Sequence, residues 1–409
     1  MRRLPALMRG VGFRRYWIGQ TISITGDQIT GIALPLVAVL ILHVRAAQMG
    51  VLTALVWLPS LLFAMSAGVL VDRRARRRVT MIAADVGRAA VMASIPIAYV
   101  FGVLTMWQLY VVAFCAGTLS VLFMVCDPAV FVGLVPEKQY VDGNSLLFGS
   151  RALASIVGPS AGGLLVQALT APAAILFDAV SFLGSAFELS RIRTPEAPPI
   201  AAERGAFTAG MRFIRHSPVV GPSLASISVV NFFNFMFLTL NVLYATTYLH
   251  VVPGVLGLVF GAGAVGGLLG AAVTKRLAIQ LGVGKVNLLG LIAFTAPLVL
   301  VPAAGGSRPV VLGMLFTAQF ISGFGVMALD ITAASIYATV VPNALRSRVS
   351  GAFQSVNYGT RPVGALVGGS LGAMVGVRTT LWIATIGGAL GFLIMLPSGV
   401  PRYRIADDS

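Results

Sequence analysis

The chain has 409 residues, a mean hydropathy of +0.91, 57% hydrophobic residues and only 10% charged ones. Soluble domains carry about 25% charged residues, so this chain cannot cover a water-facing surface, and lipid must solvate most of it. The formal charge of +16 would suit nucleic acid, but the placement of the basic residues excludes that partner. With Cys115 and Cys126 as the two cysteines, and His43, His216 and His250 scattered, neither a disulfide framework nor Cys/His metal spacing organises the chain. No cofactor is expected.

A spanning helix needs about 20 mostly apolar residues. Twelve such runs occur, at 17–42, 49–71, 80–103, 106–126, 146–168, 172–190, 220–247, 254–274, 286–304, 309–335, 347–376 and 379–397. The first is longer than the apolar core of a signal peptide and leads into further spans, so no cleavable signal is expected. Gly102 is the break between the third and fourth. After the sixth comes the longest hydrophilic stretch, Arg191–Ser217, with Pro195, Pro198 and Pro199. Its later part sets Phe207, Met211 and Ile214 on one helical face and Arg204, Arg212 and Arg215 elsewhere, the pattern of a helix lying on the membrane surface. The expected division is a six-helix half at 1–190, a linker at 191–217 and a second six-helix half at 218–409.

Lysine and arginine set the orientation. Of the 29 basic residues, 23 fall in loops of one side, including both termini, and Arg45, Arg308 and Arg378 fall on the other; Arg88, Arg151 and Arg361 lie within or at the ends of spans. An even number of spans with both termini cytoplasmic follows. The basic clusters face anionic lipid. The abundance of Gly, Ala and Arg suits a high-GC bacterium, and the inner membrane of such a cell is the expected location.

The halves repeat one another. Gly68–Arg74 after span two corresponds to Gly270–Arg276 after span eight, an offset of 202; Val135-Pro136 corresponds to Val341-Pro342, an offset of 206. Gly158-Pro159 with Gly162-Gly163 has its counterpart in Arg361-Pro362 with Gly368-Gly369. Parallel six-helix repeats are the plan of secondary transporters.

Gly68-x-Leu70-x-Asp72-Arg73-x-x-Arg76-Arg77 resembles the loop 2–3 signature of the major facilitator superfamily, with Ala75 where the family has Gly. Ala154-x-x-x-Gly158-Pro159-x-x-Gly162-Gly163 is similar to that superfamily's antiporter motif, which is enriched in exporters. Gly26-Asp27, Asn144-Ser145 and Ser350-Gly351 resemble the branch of siderophore exporters and of macrolide and multidrug efflux pumps. The resemblance covers essentially the whole chain. It implies an all-α membrane protein of twelve transmembrane helices in two pseudo-symmetric halves, acting as a monomer on a small molecule with protons as the coupling partner. Many drug/proton antiporters carry Arg in span four. This chain has none there, leaving Arg88 or Arg151 as a possible charge relay.

Ionisable groups in a membrane core are functional candidates by default. Asp27 is the first of them. Gln20, Ser23, Asp27, Thr30 and Gly31 recur at helical spacing and give span one a polar face. Low dielectric disfavours a charged carboxylate, so Asp27 is the candidate to exchange a proton as ligand binds; a permanently paired or hydrogen-bonded Asp27 is the other reading. Gln354, Asn357, Tyr358 and Arg361 share a face of span eleven, where Arg361 either holds an anionic group or snorkels to the interface. Asp178 in span six, beside Ser181, and Asn234 and Asn241 in span seven are further candidates. Asp72, with Gly68, Arg73, Arg76 and Arg77, is expected to work as a gate, its carboxylate pairing with Arg or with the N-terminal end of span eleven. Asp127 and Asp330 are expected near cytoplasmic helix ends in gating or helix-end roles. For Gly158, Pro159, Gly162 and Gly163 the expectation is helix distortion and close packing.

Gly261-Ala-Gly263-Ala-Val-Gly266 fits a dinucleotide fingerprint but lies in an apolar span without a preceding strand. Gly284-Lys285 lacks the rest of a phosphate loop, so ATP-driven pumping by this chain is not expected. The sequence therefore favours a proton-coupled exporter over an importer or uniporter on the same fold. A non-transporting membrane protein is disfavoured by the polar faces of spans one and eleven, and nothing points to an enzyme.

Overall fold

The computed structural model describes residues 6–74, 76–193 and 206–403, and its regular structure there is helical. Twelve long helices run as α1 (Val11–Leu40), α2 (Ala46–Arg74), α3 (Arg77–Val100), α4 (Met106–Leu134), α5 (Tyr140–Ala168), α6 (Ala171–Ser190), α7 (Val220–Thr247), α8 (Pro253–Leu281), α9 (Val283–Ala303), α10 (Arg308–Val340), α11 (Arg346–Met374) and α12 (Val377–Ile394). Ten are long and apolar enough to cross a membrane by length and composition, among the described residues. The remaining two, α5 and α11, have 29 residues each but carry Asp142, Asn144 and Arg151, and Arg346, Gln354, Asn357 and Arg361, which lower their apolar content. The short amphipathic helix expected in the linker forms over Ala206–His216.

Local chemistry sets the boundaries. Thr105 and Thr170 begin α4 and α6 by accepting the backbone N–H of Gln108 and Ala173 at 3.4 and 3.3 Å. Gly102, with φ +67°, follows α3 in the left-handed region that only glycine enters freely. Several helices outrun the expected spans. α4 continues to Leu134 and α10 to Val340, which leaves Asp127 about two turns and Asp330 nearly three turns inside their C-terminal ends.

Two compact units divide the chain. The first takes Met1–His43, Leu55–Ala202 and Val252–Leu258, and the second Val44–Ala54, Glu203–Val251 and Val259–Ser409. Each half thus receives the opening stretch of one helix, α2 or α8, from the other. Within the first unit α1 packs on α5 and α6, and α3 on α4 and α6; within the second α7 packs on α11 and α12, and α9 on α10.

The repeats seen in sequence are repeats of construction. Val135 and Val341 both leave a helix in extended conformation, as a following proline requires, and each leads through a 3-10 turn, Glu137–Gln139 or Asn343–Leu345, into α5 or α11. Gly158 and Gly162 lie against Gln28 and Ile29 of α1; 206 positions on, Gly364 and Gly368 lie against Phe232 and Met236 of α7. A Cβ on Gly162 would come within 3.1 Å of the Ile29 Cα, and one on Gly368 within 2.7 Å of the Met236 Cα. Gly163 meets Gly257 at the start of α8, and Gly369 meets Gly50 at the start of α2. Without a hydrophobic drive between helices in lipid, this backbone approach is what contact energy there is to gain.

Candidate functional site

Burial varies along the polar residues of α1, and Thr30 is buried. Gln20 and Ser23 are buried, whereas the Asp27 side chain, midway along α1, is 49% exposed. Asp27 Oδ2 lies 4.0 Å from Arg88 Nη1 of α3. Arg88 is itself buried between two aromatic rings, its guanidinium 4.1 Å from the Phe182 centroid and 4.7 Å from that of Phe123. Its Nη2 donates to Asp85 Oδ1 one turn earlier, and its Nη1 donates weakly to Ser120 Oγ at 3.5 Å. Asp85 was not among the sequence candidates. Its spacing to Arg88 in an apolar span was the available signal, since an intramembrane carboxylate three residues from an arginine can only be tolerated as its partner.

Asp178 enters the same region from α6, with no exposed surface. Ser181 Oγ donates to its Oδ1 at 3.1 Å, and that oxygen lies directly against the Cα of Gly26, where a Cβ would collide. Gly26, read as half of a branch signature with Asp27, is therefore what admits α6 to the α1 backbone at the height of Asp27.

A second cluster sits toward the start of α1, about 10–16 Å along the helix from Asp27. Tyr16 Oη and Gln20 Nε2 both donate to Asp127 Oδ1, at 2.6 and 2.5 Å, and Arg151 Nη2 of α5 is 3.9 Å from Asp127 Oδ2. The structure thus separates residues that sequence periodicity grouped: Gln20 serves Asp127, and Asp27 serves Arg88. Arg88 and Arg151, the two possible relay arginines, belong to different carboxylates.

In the second unit Asn231 Nδ2 of α7 donates to Asn357 Oδ1 of α11 at 2.5 Å. Arg361 lies one turn beyond, its guanidinium 4.2 Å from the Tyr358 centroid and 5.3 Å from that of Phe235. Asn231 is the amide that joins this cluster. Asn234 is half-buried, Asn241 is buried elsewhere along α7, Gln354 bonds within its own helix to Ser350, and Asp330 is exposed.

The side chains of Gly68, Asp72 and Arg73 lie outside the described residues. Of the same loop, Arg76 is exposed and Arg77 buried. Arg78 closes α6: its Nη1 donates to the carbonyls of Leu189, Ser190 and Ile192 at 3.2, 3.0 and 2.6 Å, satisfying acceptors that the last turn of a helix leaves open. Arg15 Nη1 adds Arg191 O at 2.8 Å. Basic residues that read as orientation signals also cap helices.

The first unit therefore carries two carboxylate–arginine clusters, one around Arg88 and one around Asp127, and the second an amide–aromatic–guanidinium cluster around Asn357 and Arg361. The sequence profile of a family described as transmembrane secretion effectors matches residues 5–409. The multidrug efflux pump Tap of Mycolicibacterium fortuitum is 30% identical, over 86% of this chain and 86% of its own. The enterobactin exporter EntS of Citrobacter koseri is 24% identical, over 98% of this chain and 95% of its own. A bacterial homologue of the iron transporter ferroportin, solved in an inward-facing state, superposes with a TM-score of 0.75 at 15% identity over 96% of this chain and 99% of that one, a likeness of fold. The chain is a multi-pass membrane transporter rather than an enzyme, and it belongs to the transmembrane secretion effector family of the major facilitator superfamily.

Proposed function

We propose that this transporter exports a small drug-like, siderophore or secondary-metabolite substrate from the cytoplasm, by alternating access and in exchange for protons. The observation that carries the reading is Asp27: an exposed carboxylate at the middle of a spanning helix, within ion-pair reach of a buried arginine that already has a partner in Asp85. An ionisable group so placed is costly to keep, and exchange of a proton or a ligand at its exposed face is the use that repays it. The names of the efflux and siderophore-exporting relatives support the direction, as does the glycine packing of α5 on α1. The excess of basic residues in one set of loops supports cytoplasmic termini in a bacterial inner membrane. The protein works as a monomer.

The test is transport by the purified protein in liposomes with ethidium, erythromycin or a catecholate siderophore as probe. An acidic lumen should drive uptake of at least one probe through inside-out molecules, and collapse of the pH gradient should stop it. Asp27→Asn should abolish gradient-driven uptake or weaken it at least tenfold. Uptake that ignores the pH gradient in the wild type refutes proton exchange, and full gradient-driven uptake by Asp27→Asn refutes the role of Asp27.

A further inference from the structure

We propose that Gly210, in the helix of the linker between the halves, is a positioning residue for transport: its bare backbone seats that helix against the opening turns of α11 and so fixes the polar face of α11. The inference rests on the transport reading above and adds to it a residue outside the clusters already described.

The linker helix, Ala206–His216, has the pattern of a helix resting on lipid, but its apolar face is taken by protein. Ile214 is buried in one core with Val220 and Leu224 of α7, Val341 just after α10, and Val349 and Ala352 of α11, and Met211 and Phe213 pack against that core. Arg212, Arg215 and His216 remain exposed. The approach is closest at Gly210, which is buried. A Cβ there would collide with the Arg348 carbonyl oxygen and lie 3.1 Å from the Ala352 Cβ. Glycine inside a helix costs stability relative to alanine. In the middle of this 11-residue helix the contact with α11 offsets that cost.

The contact joins several elements into one block. Ser217 Oγ accepts the Val220 N–H at 3.1 Å, and a Cβ on Gly221 would lie 2.8 Å from the Ile214 carbonyl oxygen, so the linker helix enters α7 through a tight elbow. Across the Val341-Pro342 reversal, Tyr337 Oη donates to the Arg346 carbonyl at 2.8 Å and Arg346 Nη2 donates to the Ala338 carbonyl at 2.6 Å. These bonds tie the end of α10 to the start of α11. The first half is buttressed likewise: the short helix Ala6–Arg9 before α1 sets Leu7 and Met8 in the core that holds Val135. Asn357 lies about 7.5 Å beyond Ala352 along α11, with Tyr358 and Arg361 following on its face. A helix is a rigid element that passes a displacement along its length, so a shift of the opening turns carries this face with it.

The sign of the effect of Gly210→Ala decides the contact. On an open helix face the added methyl group stabilises the helix and slows hydrogen exchange; against α11 it pushes the helix away. In the purified full-length protein, Gly210→Ala should quicken exchange at residues 206–216 and 346–352 about tenfold or more and leave α1–α6 unchanged. Transport in liposomes follows, with whichever of ethidium, erythromycin and a catecholate siderophore the wild type carries. The concentration giving half-maximal rate should rise about fivefold or more; a loss of folded protein alone lowers the maximal rate and leaves that concentration where it was. Arg212→Ala, on the exposed side of the same helix, should match wild type in both measurements. Slowed or unchanged exchange in Gly210→Ala overturns the contact. Quickened exchange with an unchanged half-maximal concentration, or an equal shift in Arg212→Ala, overturns the positioning role. A wild type that carries none of the three probes overturns the export reading and the positioning role with it, while hydrogen exchange still decides the contact.

Discussion

Arg88 offers a test of how this protein keeps charge in lipid. The residue is 3% exposed, and its guanidinium pairs with Asp85 and lies between Phe123 and Phe182. Removing one partner of a buried pair costs about 3–5 kcal/mol, whereas replacing both by apolar groups is often neutral. The two single losses should differ. Asp85→Ala strands an arginine that cannot shed its charge, relieved only in part by Asp27 at 4.0 Å and the two rings; the expected cost is about 3 kcal/mol. Arg88→Met strands a carboxyl that can neutralise by taking a proton, and should cost about 1–2 kcal/mol. The double variant should return to within about 1 kcal/mol of wild type, a coupling of about 3 kcal/mol, or more than a hundredfold in the folded ratio. Unfolding by SDS titration in mixed micelles, followed by the fluorescence of the four tryptophans, measures each leg. A double variant whose loss equals the sum of the singles refutes the pair, and Arg88→Met costing more than Asp85→Ala refutes the asymmetry.

Other perturbations follow from the same geometry. Asn231→Leu leaves the Asn357 amide without its 2.5 Å partner and should cost about 1–3 kcal/mol, with Asn231→Leu/Asn357→Leu recovering most of it in the same titration. Gly158→Leu forces a side chain onto the Gln28 Cβ of α1, and Gly364→Leu forces one onto the Phe232 carbonyl of α7; both should lower the thermal midpoint, and a large loss at one with none at the other would contradict the repeat. Arg78→Gln removes a donor that serves three carbonyls, so hydrogen exchange in the last turn of α6, residues 187–192, should quicken about tenfold or more, with little change elsewhere.

Twelve apolar runs and the skew of basic residues were legible because lipid demands length and apolarity one span at a time, and neither depends on a neighbour. The glycine and Val-Pro repeats were legible for a related reason: close approach and chain reversal each admit few residue types. The candidate site was legible only in part. Asp27 and Arg88 stand out in any membrane span, but nothing in their spacing pairs them, because helices α1 and α3 meet through tertiary packing. Periodicity placed Gln20 and Asp27 on one face of α1, yet packing gives one to Asp127 and the other to Arg88. The sequence reading singled out Asn234 and Asn241, whereas the amide that meets α11 is Asn231, a contact that only packing creates. Sequence determined that this chain lives in a bilayer as two related halves, since solvent selects composition directly. Which carboxylate faces which arginine was decided by how the helices pack, since a charge in lipid is defined by its neighbours rather than by its place in the chain.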